Sequence, residues 1–437
     1  MSLVEEVVKY ALKLGATEAF ATYKNLRSSS AELESDELSR TSFKVSDKLE
    51  VAVIVGKRIA TAAVSRVGRE EAFKCVERAY RMALALRPNE HWSGLPEPKP
   101  LSKVEGLYDE RIAELPVEEI VEMAKTVLST AKEVSEKVSV MGGSVTCSVL
   151  SVEIASSTGV YASEKYTSMS VTALTVAKEA GEVGSFAFEF DASRRLDVDV
   201  EEVARSAARK ALDSLHLKPI QSFRGSLIMD YDFAALFFAT LAYAYNGYMV
   251  WRGSSPLAGK IGEAIASDKL TIVDDGTLPA GLGSSSFDGE GSPTMRKVVV
   301  EKGVLRTFLN NTFTARLLNM EPTGNAADIL TVAPTNTIVE PGDWSLDELI
   351  GDIKRGLLVS RFSGLIRFQD GIVSGTAKQA FYIEDGEKKY PVRECMIAGN
   401  MYEFLKNISA LTKEARRTPH RVITPMVRID NVAFISK

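Results

Sequence analysis

The sequence predicts an α+β protein in two domains, and three observations carry that prediction. At 437 residues the chain is longer than one hydrophobic core usually organises. Its 45% hydrophobic and 25% charged residues sit at globular averages, which leaves little room for long disorder or a fibrous fold. The pattern also changes character at Ser222–Gly225: strand and helix signals alternate before this point, and strand signals dominate after it.

Residues 1–220 read as an N-terminal α+β domain built from two repeated sheet-plus-helix units. One helix starts at Glu70-Glu71 and stops at Pro88; a second starts at Glu201-Glu202 and stops at Pro219. The offset is the same from Glu pair to Glu pair and from Pro to Pro, so the two copies share a register. Acidic pairs suit a helix N-terminus and proline ends the helix. Strand candidates precede each helix: Leu49 to Val55 and Ile59 to Val64 in the first copy, Ser168 to Val176 and Ser185 to Phe190 in the second, with turns at Gly56-Lys57 and Gly181-Glu182. Phe186, Phe188 and Phe190 alternate and so share one strand face, expected to pack under the repeat's helix rather than to stack on a ligand. Val117 to Val134 reads as a long amphipathic helix between the copies.

Residues 221–437 read as a C-terminal, mostly antiparallel β barrel or curled sandwich with a buried helix. Strand candidates are Gly225 to Met229, Leu270 to Val273, a hairpin from Lys297 to Phe308, Gly356 to Phe362, a hairpin from Gln379 to Val392, and Pro425 to Ile435. A helix begins at the capping box Ser345 to Glu348 and is expected to run to Gly356; another takes Asn400 as N-cap with Glu403 three residues on. Phe233 to Tyr245 is apolar around its whole circumference, as in a helix surrounded by protein, and at thirteen residues it is shorter than the about twenty that a bilayer span needs.

Several function classes lose support. A formal net charge of −5 with no basic stripe argues against direct nucleic-acid binding. Met1 to Lys13 mixes Glu and Lys with apolar residues, unlike a signal peptide, so cytoplasmic residence is the expectation and no membrane contact is foreseen. Cys75, Cys147 and Cys395 are distant from one another and form no C-x-x-C pair, which fits small apolar fillers. The three histidines, His91, His216 and His420, have no second ligand at helix spacing, so no local zinc motif is present. His420 lies in the basic stretch Lys413 to Arg421, where contact with an anion or partner stays open.

The densest candidate site runs from Gly276 to Gly291 and ends in GLGSSSFDGEG, with Gly281, Gly283, Gly289 and Gly291, the serines Ser284 to Ser286, and the carboxylates Asp288 and Glu290. Such glycine content permits close backbone approach. The loop lacks the phosphate-binding G-x-x-x-x-G-K-[ST] pattern and its acidic end would repel a phosphate. A structural loop is favoured. A serine nucleophile, or a metal held by Asp274, Asp275, Asp288 and Glu290, remains a separate hydrolase reading.

A family resemblance enters on these residues. Ile272-Val273-Asp274-Asp275-Gly276, the GLGSSSFDGEG string, Glu301-Lys302-Gly303-Val304-Leu305, Ala315-Arg316, Pro322-Thr323-Gly324-Asn325 and Ile397-Ala398-Gly399-Asn400 resemble the TldD/PmbA family, also called the modulator of gyrase family, in order and spacing. The first half agrees more loosely, through Gly15 to Ala19 and the repeat. The resemblance implies zinc peptidase chemistry in the family's catalytic subunits, with a helix carrying H-E-x-x-x-H and a late cysteine. Counting back from Asp274 places those positions on Phe238, Ala239 and Tyr243, none of which can ligate zinc or accept a proton, and no cysteine follows Cys395.

The resemblance therefore implies a non-catalytic TldE/PmbA-type subunit, with no catalytic residue and no metal in this chain. It would pair with a zinc-bearing TldD-type paralogue in a peptidase acting on unfolded or short peptides, with zinc in the partner. Gly281, Gly283, Asp288, Gly289, Glu290, Gly291, Gly324 and Asn325 are the expected peptide or chamber contacts. Valine at Gly289 and Gly291 is then expected to weaken assembly while the isolated subunit stays folded. The alternative is a homodimeric peptide binder or regulator without a protease partner.

Overall fold

The computed structural model describes residues 1–436. Among them, strands build one sheet of seven and one of eleven, and the chain is α+β. The first helix, α1 (Leu3–Lys13), starts in a capping box between Ser2 and Glu5. The strands β1 (Glu18–Glu34), β2 (Glu37–Val55) and β3 (Arg58–Ser65) follow as an antiparallel meander, closed by α2 (Arg69–Ala85). After the short α3 (Glu110–Ala113), the pattern repeats: α4 (Val117–Val134), β4 (Val138–Ser156), β5 (Tyr161–Glu179), β6 (Glu182–Val183), β7 (Ala187–Ser193) and α5 (Val200–Leu212).

The two copies are fused along β1 and β4, so one half-barrel sheet with order β3-β2-β1-β4-β5-β6 runs through both, and β7 also pairs with β5. Alternation sorts its faces. On β1, Ala19, Ala21, Ala31 and Leu33 enter the cores beneath the helices, whereas Thr22, Lys24, Ser28 and Ser30 occupy the other, concave face. Alanines on α5, among them Ala204, Ala207 and Ala211, are fully buried and let that helix lie close to the sheet.

The strands outrun their sequence signals. Ser168 to Val176 is the middle of β5, and Leu49 to Val55 is the end of β2. Away from the second domain the concave-facing positions of these long strands include Ser28, Ser30, Ser42, Lys44, Thr146 and Ser148, so the hydrophobic alternation that announces a strand is weak there. The expected packing of Phe186, Phe188 and Phe190 under the helix is wrong. Glu189 pairs with Ala173, which belongs to the helix-side core, so Phe188 and Phe190 point to the opposite, concave face; Phe186 and Phe188 are exposed.

The second half opens with β8 (Phe223–Met229), α6 (Tyr231–Leu241) and α7 (Gly247–Trp251), then β9 (Ile272–Asp275), β10 (Arg296–Glu301), β11 (Val304–Leu305), α8 (Thr312–Leu318), β12 (Thr337–Val339) and α9 (Leu346–Gly351). The larger strands come last: β13 (Arg355–Ile366), β14 (Ile372–Glu384), β15 (Glu387–Val392), β16 (Cys395–Asn400), then α10 (Met401–Lys406), β17 (Ile408–Arg417) and β18 (Val422–Ser436). Pairings β8–β13, β13–β14, β14–β16, β16–β18 and β18–β8 close a five-stranded barrel. Closure removes the sheet edges that an open sandwich would leave.

Two expectations about helices change here. The helix from Ser345 stops at Gly351, because Gly356 is already in β13, paired with β8. The apolar helix is Tyr231–Leu241, not Phe233 to Tyr245, and its burial is not complete: Phe233, Phe237 and Phe238 are inside, but Tyr243 lies beyond the helix end and is 54% exposed.

Candidate functional site

Asp274 and Asp275 end strand β9 with both side chains buried. Asp274 forms an ion pair with Lys297 at 2.9 Å and accepts hydrogen bonds from Asn325 Nδ2 (2.9 Å), Thr335 N–H (2.7 Å) and Thr335 Oγ1 (2.8 Å). Asp275 accepts from the N–H and hydroxyl of Thr277. Asn336 ties the strand to the loop: its amide donates to Asp275 O and Ser284 Oγ, and its Oδ1 accepts from Gly283 N–H. A side chain on Gly283 would collide with the Thr335 carbonyl at 2.2 Å, so glycine is needed for this approach.

The far end of the loop holds a buried acid pair. Asp288 accepts from the N–H groups of Glu290, Ser292 and Ala326, and Glu290 accepts from Ser292 Oγ and from the N–H and hydroxyl of Thr312. Burial and the neighbouring Glu290 charge push Asp288 well above the usual carboxylate range; burial also raises Glu290. Gly324, at φ +67°, packs against the Pro293 carbonyl.

Ser285 and Ser286 face the first domain, whereas the Ser284 hydroxyl turns inward to Leu278 O. Ser286 donates to Glu164 from both its N–H and its hydroxyl, Ser285 Oγ lies 3.1 Å from the same carboxylate, and Tyr166 OH sits 2.7 Å from Ser285 Oγ. Arg194 donates to the carbonyls of Gly281 and Leu282. Beside these contacts Phe287, Phe313 and Ile329 pack on Phe20, Ile54 and Ile154 of the concave face. The loop thus joins the domains, and among the described residues no histidine hydrogen-bonds to it. Sequence reasoning does not reach Glu164, Tyr166 and Arg194, because nothing local marks a residue that meets a loop about 90 to 120 positions away.

Of the expected contact residues, the structure brings Asp288, Gly289, Glu290, Gly291, Gly324 and Asn325 together around β9 and α8, with the Asp288, Glu290 and Asn325 side chains turned inward. Phe238 is fully buried, edge-on to Phe237; Ala239 is half-buried; Tyr243 stacks on Phe368 at the surface, ring centroids 5.9 Å apart. His91 lies against Trp251, exposed His216 sits between Glu179 and Glu182, and exposed His420 is in the turn before β18.

Residues 223–436 match the PmbA/TldA metallopeptidase C-terminal domain, and residues 110–215 match the PmbA/TldA metallopeptidase central domain. The chain belongs to the PmbA/TldD family. It is similar to a metalloprotease PmbA homologue of Haemophilus influenzae, 28% identical over 424 residues that cover 94% of this chain and 90% of that protein. A metalloprotease of Methanothermobacter thermautotrophicus is 38% identical over 224 residues, 50% of this chain and 49% of the relative. In several curated relatives, as in that one, the match spans about half of the relative's length. The crystal structure of TldE from Thermococcus kodakarensis superposes with a TM-score of 0.93 at 29% identity, covering 99% of this chain and all of that one.

The matched domains are described as metallopeptidase, and the residues at Phe238, Ala239 and Tyr243, where the sequence resemblance places the ligands, do not fit a metal. A ring in the apolar core, a methyl group and a solvent-facing phenol neither converge nor offer an imidazole or thiolate. Among the described residues no group of three or more His, Cys, Asp or Glu is placed to hold a metal ion, and no helix is long and apolar enough to cross a membrane.

Proposed function

We propose that this chain is the non-catalytic, TldE-like subunit of a cytoplasmic two-subunit peptidase, paired with a zinc-bearing TldD-type paralogue and acting on unfolded or short peptides. The observation that carries the reading is the contrast between Asp274 and Asn325, whose side chains are hydrogen-bonded to each other and to their surroundings, and the expected ligand positions on and just after α6, which hold Phe238, Ala239 and Tyr243. A scaffold kept in working order around positions without donors suits a subunit that shapes a shared site. The serine and carboxylate hydrolase readings lose support, since each of those groups is engaged in holding the loop.

The test is to purify the native protein from its own cells and identify what accompanies it, then to measure zinc content and peptide cleavage for the chain alone and for the pair. Zinc and chelator-sensitive cleavage only in the pair support the reading. One equivalent of tightly held zinc in the isolated chain, or recovery of a homodimer with no paralogue, would overturn it.

A further inference from the structure

The concave face of the first sheet ends in a cavity of about 520 Å³ beneath the second domain. Its apolar walls are Phe20, Val152 and Ile154 from the sheet and Phe287, Ile329 and Leu330 from the opposing loops. Four ionisable residues also line it: Lys24, Glu50, Asp288 and Asp328. The three acids already hold hydrogen-bond donors, and among the described residues only Glu50 of the three has a cation partner. Asp328 accepts from Leu330 N–H, Thr331 N–H and Thr331 Oγ1, Asp288 from its three backbone N–H groups, and Glu50 from Lys48 at 2.7 Å. Lys24 is exposed at the rim, has no ion-pair partner among the described residues, and stands opposite Lys48 in the β1–β2 register. The cavity therefore combines an apolar interior with a lysine at its edge that makes no ion pair among the described residues, while each of its acids already holds hydrogen-bond donors.

We propose that this cavity binds the carboxy-terminal residue of a short peptide, with an apolar side chain inside and the terminal carboxylate at Lys24. The volume lies within the about 300–1,000 Å³ of small-ligand sites and accommodates one large side chain with part of the next residue. The rest of the peptide has a path. Ser28, Ser30, Thr146, Ser148 and Ser170 continue the same concave face away from the cavity, half-buried and side by side across β1, β4 and β5. Hydroxyls both donate and accept, so they meet backbone amides of any sequence. The ladders of these inner strands are already paired, which leaves side chains as the means of contact.

The inference takes from the proposed function only that the ligand is a peptide. Binding belongs to this chain by itself, so the absence of a protease partner would leave it standing.

The experiment is fluorescence anisotropy of the purified full chain with a short peptide ending in phenylalanine, labelled at its amino end, as free acid and as amide. The free acid binds about tenfold tighter than the amide, the scale of one charge-assisted contact. Lys24→Ala removes that difference and leaves amide binding unchanged; Lys24→Arg restores it. Ala63→Trp, at an exposed position lining the cavity, weakens both forms by about tenfold or more. Equal binding of acid and amide, binding unaffected by Ala63→Trp, or no binding of either peptide would overturn the proposal. So would tighter binding of dodecanoate, which offers the same chemistry as a free fatty acid.

Discussion

The guanidinium of Arg194 lies over the ring of Tyr166, 4.7 Å from its centroid, and from there donates to Leu282 O at 2.8 Å. Burial lowers the Arg194 pKa to about 10, so it stays charged at neutral pH. This pair, with Glu164, is where the first domain grips the glycine-rich loop of the second.

Arg194→Ala should loosen that grip. It strands the carbonyls of Gly281 and Leu282 and removes the cation over Tyr166, a loss of about 2–4 kcal/mol. The expected result is a lower urea midpoint with earlier proteolytic cutting within 276–291, and only partial recovery in Arg194→Lys, which lacks the planar fork. A midpoint within error of the unmutated chain would show that the apolar contacts alone hold the domains.

Phe238→Asp should leave little folded protein. The side chain is fully buried in the barrel-side core, and an unpaired carboxylate there costs several kcal/mol, on the order of a domain's whole stability. Phe238→Leu keeps the apolar character and should cost only about 1–2 kcal/mol. Circular dichroism and soluble yield separate the two outcomes, and a soluble Phe238→Asp protein with unchanged melting would contradict the placement of α6.

Sequence reasoning reached the repeat, the helix Val117–Val134, most barrel strands and the family, because each leaves a local mark: an acidic pair before a helix, a glycine turn, a motif of fixed order. It fell short where the mark is not local. Strand β4 alternates hydroxyls with apolar residues against a face that no helix covers, so its period gave a weak signal. The loop at Gly281 to Gly291 was legible as close-packed backbone, but its partners Glu164, Tyr166 and Arg194 come together only through the sheet register.

A pH effect should come from Asp232, in the first turn of α6. Burial raises its pKa to about 6 against the pull of Lys210, with Glu189 and Asp230 adding to the rise. Its ordinary value is 3.8, so the folded state holds this proton more tightly than the unfolded state does. The contribution to stability is complete below about pH 4 and is lost as pH rises through about 6. With 35% of the side chain exposed, the loss is screened to about 1 kcal/mol. Asp232→Asn should gain on the unmutated chain by about that amount between pH 4 and 7 in urea melts; a constant difference across this range would remove Asp232 as the cause.

Valine at Gly289 or Gly291 should harm the isolated chain, contrary to the expectation drawn from sequence that it would stay folded. A Cβ at Gly289 would stand 2.3 Å from the Ala327 carbonyl oxygen, a backbone atom with no rotamer to escape into. At Gly291 the backbone has φ +85°, which a β-branched residue resists, and a Cβ would meet Val160 Cγ1 at 2.5 Å. Both clashes lie inside this chain, where the loop meets residues 326–327 and the concave sheet. Each substitution should therefore destabilise the purified subunit, by about 3 kcal/mol or more, before any partner is added. Gly291→Ala should cost less than Gly291→Val, since it brings the first clash without the branch. Thermal melts of the isolated chain decide the matter: melting temperatures equal to that of the unmutated protein, with loss only in the assembled pair, would return these glycines to a subunit contact.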